Sequence, residues 1–422
     1  MLDIKFIREN PDLIKAATRK KRVDFDVNEL LKIDEERRNL LTKIEESRAK
    51  QNKVSEGIVQ IKNEAEKQAA IEISRALKND LFARENEFRK LNEKWQDLML
   101  AVPNIPDPEV PEGESDAQNK EIRKWGETPR FDFPVKDHIA LMRDLNLLDL
   151  ERGAKVSGFR GYFLKGGGAL LSLALWQLAL KMLEEKGFMA VLAPALVREK
   201  NFIGTGWLPQ GKEEIYKTQD ELYLAGTAEV PMMGYHGDEI LKEEDLPVKY
   251  AAFSTCYRRE AGSYGKDTRG IYRLHEFMKV EQVVLCRADH QESVKWHEAI
   301  TKNSEELVQM LKLPYRVVLN CGGDLGQGQV KKYDLEVWVP SEKKYRESHS
   351  SSYFHDFQTR RLNIKYRGAD GKIRFTHSLN NTAVATPRIL ISILENYQQK
   401  DGSIKIPEIL QKYVGRNFIK LP

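Results

Sequence analysis

The stretch from residue 27 to 100 constrains the fold more than any other part of the chain, because it holds no proline and a single glycine, Gly57. It is rich in Lys, Arg, Glu, Gln and Leu, which favour helix. Two heptad-spaced seams run through it: Leu30, Ile33, Arg37, Leu40, Ile44, Ser47, Gln51, Val54, Ile58 and Ile61, then Ala70, Leu77, Leu81, Phe88, Leu91, Trp95 and Leu98. Two helices of about 35 residues, each roughly 50 Å long, bury these seams most simply against each other. The pattern therefore predicts an antiparallel helical hairpin with its tip near residues 62 to 70.

A polar, proline-rich connector follows, "VPNIPDPEVPEGESDAQN". It predicts a boundary between a helical arm at 1–101, a linker at 102–119 and a second domain at 120–422. In the second domain "YDLEVWVP" (333–340) alternates as an antiparallel strand does, and segments 169–187 and 388–400 are typical of helices. The expected fold is α+β, a mixed sheet with helices packed on it.

Charge and cysteine content narrow the class of protein. The 68 basic residues nearly balance 64 acidic ones, so contact with nucleic acid must come from local patches. We expect a cytoplasmic protein without a membrane segment, because no apolar run approaches about 20 residues and the start lacks a signal peptide. Cys256, Cys286 and Cys321 form no CxxC pair, so we expect reduced thiols and no structural zinc.

Segment 257–277, "YRREAGSYGKDTRGIYRLHEF", is crowded with cations between two strand-like runs, which predicts a long antiparallel hairpin. Strand alternation puts Arg273, Phe277 and Glu281 on one face of the second strand, and it turns Arg259 away from Arg258 on the first. An aromatic ring, guanidinium groups and a carboxylate suit a nucleotide joined to an amine. The same residues also fit a solvated strand face whose charges pair among themselves.

Longer motifs distinguish between these two interpretations. The segment "YRREAGSYGKDTRGIYRLHEFMKVEQ" resembles the second signature of class II aminoacyl-tRNA synthetases in the form carried by the seryl-tRNA synthetase family. Segment 380–410, "NNTAVATPRILISILENYQQKDGSIKIPEIL", resembles the third signature, and 169–197, with Pro194, resembles the first. "GTGWLPQ", "LAGTAEVP" and "DFQTRR" fall in the matching order, so the resemblance covers essentially the whole chain.

The resemblance implies a class II antiparallel sheet flanked by helices, and a ligase that activates L-serine with ATP and transfers it to tRNA(Ser), with tRNA(Sec) as a second candidate. Arg258, Glu281 and Arg388 are the implied catalytic residues, and Arg258 would bridge the serine carboxylate and the α-phosphate. The implied serine-binding residues are Thr227, Ala228, Glu229, Arg258, Glu281 and Thr382. The implied ATP-binding residues are Arg258, Arg259, Glu260, Arg273, Leu274, Phe277, Glu347, Ser348, His349, Ser350 and Arg388.

Glu347 and Ser350 would also hold Mg²⁺, which prefers oxygen ligands. We read Thr386 and Pro387 as the N-cap and first-turn proline of a helix that holds Arg388 in its opening turn. Arg259, His349 and Tyr353 depart from the family pattern, which usually has small residues there.

Further partners follow from the resemblance: the helical arm would bind tRNA, and the first signature would form a homodimer interface. Two other functions stay open, a ligase that charges a carrier protein and an inactive coiled-coil protein that binds RNA. The arm of about 70 residues argues against the first, and the presence of Arg258, Glu281 and Arg388 argues against the second.

Overall fold

The structure, a computed structural model, describes residues 1–263, 267 and 269–421. It divides into two compact units. The first comprises Leu2–Arg19 and Val23–Pro103, and the second comprises Met1, Lys20–Arg22 and Asn104–Pro422. The part of the hairpin loop at 264–266 and 268 lies outside the described residues.

The first unit is built from helices. These are α1 (Ile4–Glu9), α2 (Pro11–Lys20), α3 (Val27–Ile58) and α4 (Glu64–Ala101). The predicted hairpin is confirmed in α3 and α4, which have 32 and 38 residues. Its tip lies at 59–63, slightly before the predicted position, because the Asn63 side chain caps α4 by accepting from the backbone N–H groups of Ala65 and Glu66.

Both predicted seams contribute to the hairpin core. Leu40, Ile44 and Leu81 form a buried cluster with Phe88 and Leu91 packed against it. Their spacing along α3 and α4 follows the heptad positions that turn one helix face toward its partner.

A polar contact crosses the same interface. Asp34 is 1% exposed, and its Oδ1 accepts a hydrogen bond of 3.1 Å from the Trp95 indole. Arg38 Nε lies 3.1 Å from Oδ2, while Arg8 and Arg37 approach within 3.6 and 3.7 Å. The guanidinium of Arg37 also stacks 4.2 Å from the Trp95 ring centre, which explains an arginine at a seam position. The buried carboxylate is thus both paired and hydrogen-bonded.

The second unit contains the remaining elements. Its helices are α5 (His138–Asp144), α6 (Leu150–Ser157), α7 (Gly166–Glu185), α8 (Glu199–Thr205), α9 (Glu229–Tyr235), α10 (His290–Met310), α11 (Phe357–Leu362), α12 (Arg388–Asn396) and α13 (Glu408–Val414). The strands are β1 (Lys120–Trp125), β2 (Leu148–Asp149), β3 (Phe163–Leu164), β4 (Met189–Leu192), β5 (Leu196–Arg198), β6 (Tyr216–Lys217), β7 (Leu222–Leu224), β8 (Ile240–Lys242), β9 (Val248–Tyr257), β10 (Glu276–Cys286), β11 (Tyr315–Leu319), β12 (Lys331–Val339), β13 (Lys344–Tyr353), β14 (Lys365–Arg367), β15 (Ile373–Phe375), β16 (His377–Thr386), β17 (Ile404–Lys405) and β18 (Phe418–Ile419).

The main sheet has the order β1-β11-β12-β13-β16-β10-β9-β4. Its neighbours pair antiparallel from β1 to β9, and β4 joins β9 in parallel. The largest buried cluster combines one side of this sheet with residues of α7, α10 and α12. The predicted α+β class with an antiparallel sheet flanked by helices is therefore confirmed.

The predicted long hairpin is shorter than expected. Strand β9 ends at Tyr257 and β10 begins at Glu276, so Arg258, Glu260 and Arg273 belong to the connection between the strands. The prediction that Arg273 shares a strand face with Phe277 is therefore wrong. Glu260 has a φ of +55°, a left-handed conformation that ends the extended run after Tyr257.

Two further expectations need correction. Thr386 ends β16 and does not cap α12: the cap residue is Pro387, and the helix starts at Arg388.

The expectation of no long apolar segment is also wrong, because α7 is long and apolar enough to cross a membrane by length and composition. In its apolar 18-residue window, 56% is buried inside the protein, as in core helices.

Candidate active site

A cavity of about 370 Å³ opens on the sheet beside β10, β13 and β16. Its lining includes Thr227, Glu229, Arg258, Glu260, Leu274, Phe277, Glu281, Glu347, Ser348, Ser350, Thr382 and Arg388. These residues come from five separate stretches of the sequence: 227–229, 258–260, 274–281, 347–350 and 382–388. The fold thus brings most of the predicted site residues to one concave surface.

One end of the cavity is a small polar pocket. Glu281 on β10 is 2% exposed, and its Oε2 accepts from Thr382 Oγ1 at 3.3 Å, a register partner on β16. Lys279 Nζ lies 2.5 Å from the same oxygen and donates to Thr227 Oγ1 at 2.8 Å. Carboxylate and hydroxyl groups in this arrangement can bind an ammonium group and a small alcohol.

Glu229, at the start of α9, completes this pocket. Its Oε1 accepts a hydrogen bond of 2.6 Å from Gln358 Nε2. Burial raises the pKa of Glu229 to about 7, and the nearby Glu281 adds to the rise while Gln358 and Lys279 oppose it. The carboxyl group therefore changes its charge near neutral pH.

Arg258 lies between this pocket and the aromatic part of the cavity. Its Nε and Nη2 donate to the Gly226 carbonyl at 3.4 and 3.3 Å. The guanidinium carbon lies 5.3 Å from the Phe277 ring centre and 5.7 Å from that of Trp207. The two aromatic rings and the Gly226 carbonyl hold the Arg258 guanidinium in a fixed orientation. In that orientation it can bind a carboxylate or a phosphate.

A second group of cations lies around Asp267. Arg273 pairs with Glu260 at 2.9 Å and with Asp267 at 3.3 Å, and Arg346 Nη2 reaches the other Asp267 oxygen at 2.6 Å. Although burial alone would raise the pKa of Asp267, Arg346 and Arg273 hold it below its ordinary value. Arg346 also stacks 4.1 Å from the Tyr272 ring centre. The two guanidinium groups therefore share one ionised carboxylate.

Arg388 and Glu347 meet across the cavity, with 3.3 Å between Nη1 and Oε1. Burial would raise the pKa of Glu347, but Arg388, Lys332, Arg258 and Arg273 outweigh it, so the pKa is lowered. The Glu347 side chain is 47% exposed within the cavity, and Ser350, three residues along β13, lines the same surface. An ionised carboxylate and a hydroxyl are hard oxygen donors, which fits Mg²⁺.

Four predicted residues are not part of this lining. Ala228 is buried beside α9 and packs with Met232 and Met233. Arg259 is 45% exposed and pairs with Glu213 at 3.4 Å, and Arg273 is held by Glu260 and Asp267.

The fourth is His349, which is 2% exposed. It forms hydrogen bonds with Ser348 Oγ and the Ala383 carbonyl, and burial lowers its pKa to about 4. Both ring nitrogens therefore already have partners within the protein. Tyr353, another departure from the family pattern, is buried and donates to Asp107 at 2.6 Å.

Several cavity residues were missed in the sequence. Lys279 could have been found, because the strand alternation that grouped Phe277 with Glu281 puts it between them on the same face. Trp207, Lys332 and Asn380 also line the cavity, and no local pattern marks them. They come close to the site through tertiary folding.

Comparison with known proteins agrees with this geometry. Residues 1–106 match the Seryl-tRNA synthetase N-terminal domain, and residues 213–397 match the tRNA synthetase class II core domain (G, H, P, S and T). The chain is 45% identical to a serine-tRNA ligase of Deinococcus radiodurans over 98% of each sequence. Among solved structures it resembles seryl-tRNA synthetase from Pyrococcus horikoshii complexed with ATP, with a TM-score of 0.91, 41% identity and 100% of each chain covered.

It also resembles the cytoplasmic serine-tRNA ligase of Naegleria fowleri in complex with AMP, with a TM-score of 0.87 and 34% identity over 100% of this chain and 99% of that one. Both halves of the chain thus match in order and over their full length. The chain belongs to the seryl-tRNA synthetase family, the ATP-dependent serine-tRNA ligases among the class II aminoacyl-tRNA synthetases.

Proposed function

We propose that the cavity lined by Arg258, Glu281 and Arg388 is where this serine-tRNA ligase forms seryl-adenylate. The observation that carries the proposal is the set of chemical groups that line one cavity: carboxylate and hydroxyl groups that can bind an ammonium group, the guanidinium of Arg258 against the Phe277 ring, and the further cation Arg388. The reaction joins the serine carboxylate to the α-phosphorus of ATP and releases pyrophosphate. Its main needs are positioning and neutralisation of negative charge.

Arg258 is the residue between the two substrates. Its guanidinium group would hold the serine carboxylate and an α-phosphate oxygen together, and the bond to Gly226 keeps it oriented. Phe277 would stack one face of adenine, while Arg388 would cover the other face. Arg273 would contact the terminal phosphates in exchange for its present carboxylate partners.

Glu347 and Ser350 are the residues that would hold Mg²⁺, because their oxygens are the hard donors that this ion prefers. When bound, the ion supplies charge neutralisation at the phosphates. The surrounding cations lower the pKa of Glu347, so its carboxyl group stays ionised and contributes a negative charge.

Serine selection belongs to Thr227, Glu229, Glu281 and Thr382. A pocket built to hydrogen-bond the substrate hydroxyl rejects alanine and glycine, because its own buried polar groups would lose their partners.

The second half-reaction transfers serine to tRNA, and we assign tRNA binding to the hairpin α3–α4. Basic side chains, including those of Lys50, Lys53 and Arg75, are exposed on it and can contact phosphates. We take tRNA(Ser) as the substrate, and tRNA(Sec) stays a second candidate. The arm at 1–101, the linker at 102–119 and the catalytic domain at 120–422 are the proposed functional parts, in a protein that works in the cytoplasm with the translation machinery.

A homodimer is the proposed assembly. Large apolar side chains are exposed around α6 and α7 and on β4: Val156, Phe159, Phe163, Leu170, Leu173, Met189 and Leu192. Several of them line an apolar hollow of about 630 Å³. A patch of this kind commonly marks a protein interface, and the resemblance of α7 to the first signature favours a second copy of this chain.

Magnesium-dependent ATP–pyrophosphate exchange across all twenty amino acids tests the proposal. Exchange with serine alone, followed by transfer of labelled serine to tRNA(Ser), is the expected result. Exchange driven by alanine or glycine would instead indicate the carrier-protein ligase, and exchange with no amino acid would contradict the proposed site. The same transfer assay with transcripts of tRNA(Ser) and of tRNA(Sec) shows which of the two RNAs the enzyme accepts.

A further inference from the structure

Lys279 is a buried cation at the serine end of the cavity, located between Phe277 and Glu281 on the inner face of β10. Its side chain is 7% exposed. Burying an ammonium group is costly unless it is paired and hydrogen-bonded, and Lys279 has both kinds of partner in the serine pocket. We propose that Lys279 is a positioning residue that sets the charge and the hydrogen-bond polarity of the serine pocket.

Thr227 is the first group that Lys279 orients. Its Oγ1 accepts from Lys279 Nζ at 2.8 Å and from the backbone N–H of Glu229 at 3.2 Å. A hydroxyl oxygen has two lone pairs, and these two donors use both. The Thr227 hydroxyl can therefore act toward a substrate only as a donor.

Glu281 is the second group that Lys279 orients. Lys279 Nζ, at 2.5 Å, and Thr382 Oγ1, at 3.3 Å, both approach Oε2. Within the described part of the chain, these hydrogen-bond partners of the carboxylate lie at one oxygen, which leaves Oε1 for a substrate. The pocket then offers a fixed donor at Thr227 and a fixed acceptor at Glu281.

The charges of the pocket also favour serine over an amino acid with two ammonium groups. Above the pKa of Glu229, about 7, Glu229 and Glu281 supply two negative charges, and Lys279 supplies one positive charge within the same pocket. The remaining single negative charge matches the one ammonium group of serine. An amino acid with a second ammonium in place of the hydroxyl meets a surplus of positive charge and a donor where it needs an acceptor.

L-2,3-diaminopropionate has this structure, and it provides the probe. The inference rests on the proposed assignment of this pocket to serine. Removing the Lys279 charge should weaken serine and favour the diamino acid, because Thr227 regains an acceptor site and the pocket gains a negative charge. A residue that merely supports the fold would not change this preference.

The experiment measures ATP–pyrophosphate exchange for wild type, Lys279→Met and Lys279→Arg with serine, diaminopropionate and ATP varied in turn. For Lys279→Met we expect the serine KM to rise roughly 30-fold with an ATP KM within about threefold of wild type, as for loss of a charged hydrogen bond. The ratio of kcat/KM for serine over diaminopropionate should fall at least about tenfold. Lys279→Arg, which retains the charge, should keep the wild-type ratio even where its KM rises.

Lys331→Met is the matched control. Lys331 is also buried in the sheet, 5% exposed, and its partner Glu109 lies outside the cavity lining. Its removal should leave the substrate ratio unchanged. An unchanged ratio in Lys279→Met, or equal rises of the serine and ATP KM, would overturn the inference.

Two more variants separate this inference from the proposed function. Glu281→Gln and Thr382→Ala should each raise the serine KM if the pocket binds serine at all. If they do not, the pocket assignment fails. If they do while Lys279→Met keeps the wild-type ratio, only the role of Lys279 fails. If the methionine variant does not fold, Lys279→Gln, which removes the charge and keeps a donor, tests the effect of the charge: the substrate ratio should still fall, and an unchanged ratio would overturn the inference.

Discussion

The guanidinium of Arg388 lies 3.3 Å from the carboxylate of Glu347, so the first residue of α12 is joined across the cavity to β13. This pair connects the third-signature helix with the residue proposed for Mg²⁺. Glu347→Gln should therefore weaken the response to the metal as well as the hold on Arg388. We expect the Mg²⁺ concentration for half-maximal exchange to rise about tenfold, within the range for altered metal-site ligands.

Glu121→Gln is a suitable comparison, since Glu121 is 45% exposed and pairs with Arg316 on the far strands of the sheet. A Glu347→Gln enzyme with the wild-type Mg²⁺ response would contradict the assignment.

Arg258→Ala should reduce the exchange rate by roughly 10²–10³, the usual loss when one electrostatic contact to the reacting groups is removed. Steady-state exchange at saturating serine and ATP measures it. Arg143→Ala, at a side chain that is 78% exposed, should stay near the wild-type rate. Near-normal exchange in Arg258→Ala would remove the central residue of the proposal.

Arg259→Ala tests the difference between the implied ATP contact and the observed pairing with Glu213. Because the Arg259 side chain is 45% exposed and is paired outside the cavity lining, we expect the ATP KM to change by less than about threefold. A rise above tenfold would mean that Arg259 turns into the site when ATP binds.

The pKa of Glu229 predicts a pH dependence of serine binding. Below its pKa of about 7 the carboxyl group is protonated and loses its attraction for an ammonium group. The serine KM should therefore rise as pH falls from 8 to 6, approaching about tenfold per unit at the acidic end, while the ATP KM changes little. Glu229→Gln should have a high serine KM without this slope.

Glu229 affects folding stability in the opposite direction: serine binding weakens as pH falls, whereas the free energy of unfolding decreases as pH rises. Because the folded pKa is raised from an ordinary value of 4.5, the folded protein keeps the proton longer than the unfolded chain. The contribution of Glu229 to the free energy of unfolding is fully present below about pH 4.5 and is lost as pH rises through 7. Glu229→Gln should reduce this loss, as measured by the melting temperature across the same pH range.

The arm predicts a salt-dependent effect on tRNA. Replacing Lys50, Lys53 and Arg75 together by glutamate should raise the KM for tRNA(Ser) and reduce the slope of binding against salt concentration. Exchange without tRNA should keep its rate. Equal tRNA affinity in the variant would indicate that another surface binds the nucleic acid.

The proposed dimer gives a further prediction. Leu173→Glu puts a charge on the apolar face of α7, where the side chain is 55% exposed, and should shift the protein toward monomer in sedimentation velocity. Ile373→Glu changes an apolar side chain of similar exposure, 46%, on β15, and should leave the assembly unchanged.

The structural features that have a periodic sequence pattern were the most predictable part of the fold. Heptad spacing indicated α3 and α4, and alternation indicated the shared face of Phe277 and Glu281, because each depends on many residues in sequence. Strand ends depend on local backbone conformation, which has no periodic signal: the chain bends at Arg273 and β10 begins only at Glu276, so Arg273 was wrongly assigned to that strand.

The site itself was predictable mainly through the family resemblance. Arg346 and Gln358 reach it from distant segments, and their contacts with Asp267 and Glu229 follow from the packing of the sheet. Lys279 was visible in the alternation, yet a lysine on a strand face has no distinctive signal until its partners are known.

The buried Asp34 fixes the alignment of α3 and α4 along the arm through its hydrogen bond with Trp95. A slip of α4 by one heptad along α3 would separate the Asp34 carboxylate from the Trp95 indole, so the buried Oδ1 and the indole N–H would lose their hydrogen bond. The hairpin therefore has one preferred register, with its tip about 40 Å along the helices from the level of Asp34 and Trp95. On the proposed assignment of tRNA binding to α3 and α4, this fixed length sets which tRNA phosphates the arm can contact together.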